Sequence, residues 1–286
     1  MNILIVGAAG NVAQKGIKPI FREMAQHFLP NSYKDVKLIG VDIKEDDNII
    51  SQGFDEYHTL DVTDINADNW RVFENVDVVI DALMAITSDI EVARAINVGG
   101  ITNICAKVEE YDIKRITHCG TFSEYAEPYF SQWEGLTENW ETHTPTPRGT
   151  YSITKYEQIL VLREFAKKTR KDGTPFEVAV PVLLGVTETP SVGLKTWGEC
   201  FESCQGFDQN GNVKRSNGFV HVKDTARLIL YCTFTHSDKV FPNQEYRFRR
   251  FFSGQTDRPE NNWDMTNSKS IGYFSSYNAS NLQKPK

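Results

Sequence analysis

The 286 residues carry 31 Lys plus Arg against 38 Asp plus Glu, a net charge of −7, and 40% of them are hydrophobic. That is enough apolar material for one large packed domain or two small ones, and the acidic balance, with no long basic run, excludes an obvious nucleic-acid or anionic-membrane surface. No stretch is long enough to span a bilayer, and the first residues lack the basic segment and cleavage site of a signal peptide, so the expectation is a cytoplasmic protein.

The first predicted element is a short apolar strand, Asn2 to Val6, that ends in Gly7-Ala8-Ala9-Gly10 and passes into a helix-competent segment. Strand, glycine turn and helix together make a phosphate cradle. Gly7 can take the positive φ of the turn, Gly10 lets the backbone approach a pyrophosphate, and the exposed amides of the helix start favour the anion. Ala13 stands where such folds want the smallest residue for packing helix on strand. A second apolar run, Val36 to Asp42, closes on a carboxylate. At that place a carboxylate binds the two ribose hydroxyls of NAD and repels the extra phosphate of NADP.

Between them, Val12, Ile17, Ile20, Phe21, Met24 and Phe28 recur at helical spacing, with Pro19 predicted to kink or restart the helix and Leu29-Pro30 to stop it. Tyr57 to Asp64 reads as a third strand ending in acids. Asp61 could accept from an adenine amino group with Val62 packed on the ring, or could be a turn or cap residue; the two readings stand level. A weak helix is expected around Trp70 to Glu74. Val76 to Leu83 is a strongly β-branched, buried parallel strand. Ser88 is the expected cap of a helix running to Val108, with Gly99 and Gly100 in its middle. Two adjacent glycines there weaken a helix by roughly 2 kcal/mol relative to alanines, so close packing against something is expected. Asn97 and Asn103 are polar on that buried helix, suited to bridging backbone groups or a water in the core.

Ile113 to Thr121 makes a fifth strand with small and hydroxylic residues, Gly120, Thr121 and Ser123, at its carboxyl end, where open parallel sheets bind ligands. Pro128 to Pro147 reads as a loop near the same end; its Trp133, Trp140 and His143 cover a ligand or simply pin the loop. Then comes Tyr151-Ser152-Ile153-Thr154-Lys155, opening a helix expected to bury Ile153, Tyr156, Ile159, Leu160 and Phe165. Four-residue spacing puts the Tyr151 phenol and the Lys155 ammonium on one face. The lysine charge favours the phenolate, which could take a proton from a substrate hydroxyl whose carbon gives hydride to the cofactor, with Thr121 hydrogen-bonding the same oxygen. Five scattered cysteines, Cys105, Cys119, Cys200, Cys204 and Cys232, suit reduced thiols, and no metal is expected.

Taken in order, Gly7-x-x-Gly10-x-x-Ala13, Asp42, Asp61-Val62, Asn97-Val98-x-Gly100-x-x-Asn103, Thr121, Tyr151-x-x-x-Lys155 and Gly218-Phe219-Val220-His221-Val222-Lys223-Asp224 resemble the extended short-chain dehydrogenase/reductase family, in its sugar epimerase and dehydratase branch. The resemblance runs through most of the chain. It implies a doubly wound α/β Rossmann fold, with residues 1–175 as the NAD-binding domain and residues 176–286 mixing the last strands with a small substrate region. It implies catalysis by Thr121, Tyr151 and Lys155, with Ser123 as the rival to Thr121; counting back from Tyr125 favours Thr121. Cofactor contacts would fall on Gly7, Gly10, Asn11, Val12, Asp42, Ile43, Asp61, Val62, Ala82, Leu83, Tyr151, Lys155 and Val182. Substrate contacts would fall on Ala85, Thr121, Phe122, Ser123 and Tyr151. The helices near 88–108 and 151–169 would pair in a homodimer.

Departures narrow the reaction. Thr121-Phe122-Ser123-Glu124 lacks the adjacent Asp-Glu pair of sugar-nucleotide dehydratases, and no cysteine stands where family epimerase-reductases protonate carbon, since Cys119 precedes Thr121. Ala82-Leu83-Met84-Ala85 replaces the usual small-residue strand end. Oxidation of a carbohydrate, or epimerisation by hydride transfer, remains. Phe176 to Gly185 reads as a sixth strand at which the family packs the nicotinamide. The tail, Asn262 to Ser268 followed by Ile271-Gly272-Tyr273, is similar to that of uronate dehydrogenases. Arg247, Arg249 and Arg250 lie close together in a possible strand, either to meet a substrate anion or as a solvated edge.

Overall fold

Runs of Ile, Leu and Val too short for stable helices form the centre of the molecule, a parallel sheet buried on both faces. The structure, a computed structural model, describes residues 1–46, 48, 50–121, 138, 149–183, 185–187, 219–242, 245–253 and 264–274. The strands are β1 (Asn2–Val6), β2 (Lys37–Asp42), β3 (Glu56–Thr59), β4 (Val78–Asp81), β5 (Arg115–His118), β6 (Gly120–Thr121), β7 (Glu177–Leu183), β8 (Gly185–Thr187), β9 (Phe219–His221) and β10 (Arg247–Phe252). The main sheet runs β10-β7-β5-β4-β1-β2-β3, with β6 also on β7; β8 and β9 pair separately. Every one of these pairings is parallel. Strand order reverses between β1 and β4, the switch point outside which a doubly wound Rossmann-type sheet opens a crevice.

Strand residues alternate between two packed layers. On one side Ile3, Ile5, Leu38 and Ile80 meet α1 (Lys18–Phe28) and a later helix through Phe21, Met24, Ala226 and Ile229. On the other, Leu4, Val6, Val79, Ile116, Val178 and Val180 meet Ile101, Ile104, Ile159 and Leu162. The helices of this second side are α2 (Ile90–Ala93), a π-helical stretch Arg94–Gly99, α3 (Gly100–Glu110) and α4 (Thr150–Phe165). The chain continues through α5 (Val222–Phe234), which packs beside α1, then α6 (Ser237–Val240) and α7 (Thr266–Ser270). Among the described residues no helix is long and apolar enough to cross a membrane.

Several local expectations hold. Pro19 lies in the first turn of α1, immediately after a π-helical turn Val12–Ile17, and the helix stops at Leu29. Gly100 is where the chain needs a glycine: a Cβ there would lie 2.7 Å from Leu83 Cδ2 and 3.0 Å from Val62 Cγ2. Gly99 has only the Arg94 carbonyl within reach of such an atom, at 3.8 Å. Asn97 and Asn103 do bridge backbone: Asn103 Nδ2 donates to the Val62 carbonyl at 2.8 Å.

Other expectations are corrected. The third strand is Glu56–Thr59 and stops before the acids. The helix cap is Asp89 rather than Ser88, its carboxylate accepting the N–H groups of Glu91 and Val92. On α4 the buried side is Thr154, Lys155, Gln158, Ile159, Leu162 and Phe165, while Leu160 is exposed. Tertiary partners, supplied by Asn97 and the end of β5, override the polarity of those side chains. The arginines of β10 form no solvated edge either. Arg247 donates to Glu177 at 2.6 Å, and buried Arg249 donates to the Val240 carbonyl at 2.9 Å and to Asn267 Oδ1.

Candidate active site

The turn after β1 is built as a cradle. Gly7 has φ +83°, and a Cβ on it would stand 2.8 Å from the Ala82 carbonyl oxygen, so only glycine lets β1 and the exit of β4 approach this closely. Gly10 N–H closes the turn on the Gly7 carbonyl at 3.0 Å, and the ladder of the following helix begins with Gln14 N–H on the Gly10 carbonyl at 2.9 Å. The amides of Asn11 and Val12 lie ahead of that ladder, as orphan donors at a helix start do. Ala13 is fully buried. At the end of β2 the Asp42 carboxylate accepts Ala9 N–H (2.9 Å) through Oδ2 and Lys44 N–H (3.1 Å) through Oδ1. Each oxygen keeps acceptor capacity for a ribose hydroxyl. Ile43 beside it is 64% exposed, an apolar surface at the mouth of the cradle. These groups fit a dinucleotide: amides for the pyrophosphate, a carboxylate for the ribose, an apolar flank for a base.

Asp61 is exposed, and its Oδ1 accepts both the N–H and the hydroxyl of Thr63, at 2.9 and 2.8 Å, a turn of its own. Val62 is buried against Gly100. Past β4, the segment Ala82 to Ala85 is held at both ends. Asp81 Oδ1 accepts Leu83 N–H at 3.1 Å, and Asn97 takes Ala85 N–H on its oxygen (2.8 Å) while donating to the Ala85 carbonyl (3.0 Å). Asn97 also donates to Thr154 Oγ1 at 3.1 Å, and Gln158 donates to the Asn97 carbonyl at 2.9 Å. Thr150 Oγ1 donates to the Thr87 carbonyl. The exit of β4 and the start of α4 are therefore one hydrogen-bonded unit.

Lys155 is 3% exposed and donates from Nζ to the Cys119 carbonyl at 3.0 Å, at the end of β5. Thr121, two residues further on in β6, is buried, and Tyr151 lies one turn before Lys155, half-buried in the first turn of α4. Thr121, Tyr151 and Lys155 are thus all at the carboxyl end of the sheet, the end at which the cradle opens. Val182 lies fully buried in the core of β7. Phe122, Ser123, Tyr125, Trp133, Trp140, His143, Cys200, Cys204 and Gly218 lie outside the described residues.

Two features escape sequence reasoning. Asp81 and His118, register partners on β4 and β5, form a fully buried pair, Oδ2 to Nδ1 2.6 Å. Burial and the Lys155 charge hold the imidazole below the usual histidine range, against the pull of the Asp81 hydrogen bond and charge, so it is neutral at pH 7. Burial likewise pushes the Cys119 thiol up to about 12, which makes it inert as a nucleophile. Glu138 is the second feature. Buried, it accepts Phe252 N–H (2.8 Å), Ser268 N–H (3.0 Å), Ser268 Oγ–H (2.6 Å) and Asn267 N–H, tying residue 138 to β10 and α7. Burial raises its pKa despite those four donors.

Fold and cradle define a Rossmann-type dinucleotide-binding protein. Residues 3–246 match the family model of the NAD dependent epimerase/dehydratase family, and the chain belongs to that family, whose cofactor is NAD. No curated protein shows significant sequence similarity to it. Among solved structures the chain is similar to a mutant uronate dehydrogenase from Agrobacterium tumefaciens complexed with NAD, with 16% identity, 98% of this chain and 86% of that one covered, and a TM-score of 0.66. It is similar to a double mutant of the dTDP-glucose 4,6-dehydratase DesIV from Streptomyces venezuelae, at 14% identity, with 99% and 95% covered and a TM-score of 0.67. A UDP-N-acetylglucosamine 4-epimerase from Bacillus cereus gives 15% identity, 97% and 94% coverage and a TM-score of 0.61. At such identities the likeness is one of fold.

Proposed function

We propose that the protein is an NAD-dependent oxidoreductase that removes hydride from a carbohydrate hydroxyl or hemiacetal, in the manner of a uronate or aldose dehydrogenase. The observation that carries this reading is the placement of Lys155, a lysine buried at the carboxyl end of the sheet with its ammonium on the Cys119 carbonyl. A lysine is not buried there for packing alone, since its charge must be compensated at a cost. Held there one helical turn from Tyr151, it favours the phenolate that takes the hydroxyl proton, while Thr121 hydrogen-bonds the same oxygen. When bound, NAD accepts the hydride. Gly7, Gly10, Asn11 and Val12 would hold its pyrophosphate, Asp42 its ribose, and Ile43, Asp61 and Val62 its adenine. Ala82, Leu83, Tyr151, Lys155 and Val182 would surround the nicotinamide side, and Ala85, Phe122 and Ser123 would complete the substrate contacts with Thr121.

The second reading is a sugar-nucleotide epimerase, which uses the same three residues and regenerates the cofactor. Purified protein with NAD and a panel of free uronic acids and aldoses, then sugar nucleotides, separates them. Stoichiometric NADH formation supports the dehydrogenase; a C-epimer formed with no net NADH supports the epimerase. In either case Tyr151→Phe, which removes the hydroxyl and keeps the ring beside the nicotinamide, is expected to abolish turnover while NAD still binds, and full activity in that variant would remove the mechanism. We also propose a homodimer through α2, α3 and α4, whose outer face presents Val92 and Leu160, 46% and 42% exposed. Sedimentation of Leu160→Glu is expected to shift toward the monomer.

A further inference from the structure

We propose that Asp81 and His118 are positioning residues for Lys155: the pair diverts the Leu83 amide from the sheet, which leaves the Cys119 carbonyl to the Lys155 ammonium, and it sets a buried carboxylate close to that charge. The inference rests on the reading of Lys155 as part of the hydride-transfer site.

The ladder geometry carries it. Between parallel strands a residue that donates to its neighbour also accepts from it, two residues further along. Cys119 N–H donates to the Asp81 carbonyl at 2.9 Å, so a continued ladder would bring Leu83 N–H to the Cys119 carbonyl. Instead Leu83 N–H turns to Asp81 Oδ1 at 3.1 Å, and Lys155 Nζ takes the vacated acceptor at 3.0 Å. The Asp81 carboxylate can do this only if it is held in place. His118 holds it, Nδ1 to Oδ2 2.6 Å, with both side chains inaccessible to solvent. The carboxylate fixes the imidazole tautomer, proton on Nδ1, and leaves Nε2 without a partner among the described residues. A buried acceptor left unmet costs about 1–3 kcal/mol. A fold built for stability alone would place an apolar pair here, as Val79 and Ile116 are, two positions back along the same two strands.

The groups that bear on the pair electrostatically are Lys155 of α4, Cys105 of α3 and Cys119, just past the end of β5. Neighbouring β1 and β7 turn Val6 and Val180 to this face. The acid of the pair is Asp81, and the cation near it is Lys155. That arrangement sets a carboxylate near the lysine beside Tyr151 and aims the lysine through a backbone carbonyl that cannot titrate.

Coupling between charges is reciprocal, so it can be read from either end. From the histidine end, the full-length protein labelled with 15N-histidine is titrated with NAD present. The His118 ring is expected to show the neutral Nδ1–H tautomer at neutral pH in the wild type, and its midpoint is expected to rise in Lys155→Met, because the cation that lowers it is gone. From the catalytic end, Asp81→Asn keeps the shape and loses the charge. Loss of a nearby anion favours deprotonated forms, so the rising limb of kcat against pH is expected to move about one unit to lower pH. His118→Asn, which retains a donor for Asp81 and leaves its charge, is expected to lower kcat with the limb in place. A merely structural pair would lower rates or stability without moving the limb. A His118 midpoint indifferent to Lys155→Met, or an unmoved limb in Asp81→Asn, overturns the proposal. Coupling seen by NMR in a protein that turns over no sugar supports it and fells the sugar-oxidation reading alone.

Discussion

Among the described residues two pairs of ionisable side chains lie buried in this sheet, and they differ in the respects that separate scaffolding from chemistry. Arg115 and Glu177 join β5 to β7 at the amino ends of the strands, Nε to Oε2 2.7 Å. Arg115 Nη1 also donates to the carbonyls of Cys232 (2.8 Å), Thr233 (3.1 Å) and Thr235 (2.9 Å), and Nη2 reaches Ser237 Oγ at 3.2 Å, while Glu177 takes Arg247 as well, at 2.6 Å. Asp81 and His118 join β4 to β5 at the carboxyl ends, with one imidazole nitrogen unmet and a lysine linked to the same strand end. Saturated hydrogen bonding marks the pair that closes the fold; an open valence marks the one turned toward the crevice. Burial of charge is by itself no sign of function.

The sharpest test of that contrast removes one partner from each. Glu177→Gln leaves Arg115 buried without its counter-charge and is expected to cost about 3–5 kcal/mol of stability by denaturant titration, with the folded fraction keeping its kcat. Asp81→Asn is expected to do the reverse, a smaller stability loss with the shifted pH profile described above. Acid pH separates the two further. Burial pushes the Glu177 pKa up, but the Arg115 charge, the hydrogen bonds from Ser237 and Arg115 and the Lys114 charge outweigh it and hold the carboxyl below the usual range. A depressed folded pKa gives stability that is complete above the unfolded value, about 4.3, and lost as pH falls through the folded one. The stability gap between wild type and Glu177→Gln is therefore expected to narrow as pH drops below about 4, and a constant gap would show that Glu177 acts by shape alone. Next in size, Asn97→Ala strands the Ala85 amide and carbonyl and is expected to cost about 1–3 kcal/mol, with a raised KM for substrate because the exit of β4 loosens.

What the sequence discloses is what short-range physics decides. The glycine turn, the carboxylate ending β2 and the restart of α1 at Pro19 each follow from a few neighbouring residues, and all are found. The buried side of α4 is not legible in this way. Thr154, Lys155 and Gln158 do not belong to the side expected to be buried, yet their partners are Asn97, 57 and 61 residues away for Thr154 and Gln158, and Cys119, 36 residues away for Lys155. Leu160 reads as core and is exposed on the face proposed for the dimer. Asp81 and His118 are single polar residues near the ends of two separate apolar runs, and nothing local links one run to the other. Only the register, which no local rule supplies, makes them a pair.

Gly99 and Gly100 offer the finest test, because sequence treats them alike and structure does not. Alanine gains roughly 0.5–1 kcal/mol over glycine inside a helix. At 99 the new methyl meets nothing closer than the Arg94 carbonyl, 3.8 Å away, so Gly99→Ala is expected to stabilise by about that amount. At 100 the methyl would press on Leu83 Cδ2 at 2.7 Å and Val62 Cγ2 at 3.0 Å. Overpacking of this kind costs about 1–3 kcal/mol, so the gain is erased and the net change is a small loss. Leu83 is also the residue whose amide Asp81 holds, and displacing it pushes on the segment between the cradle and α4. Gly100→Ala should therefore raise KM for NAD while Gly99→Ala leaves it alone. Equal effects at the two positions would mean that the close approach of α3 to the exit of β4 does not set the cofactor site.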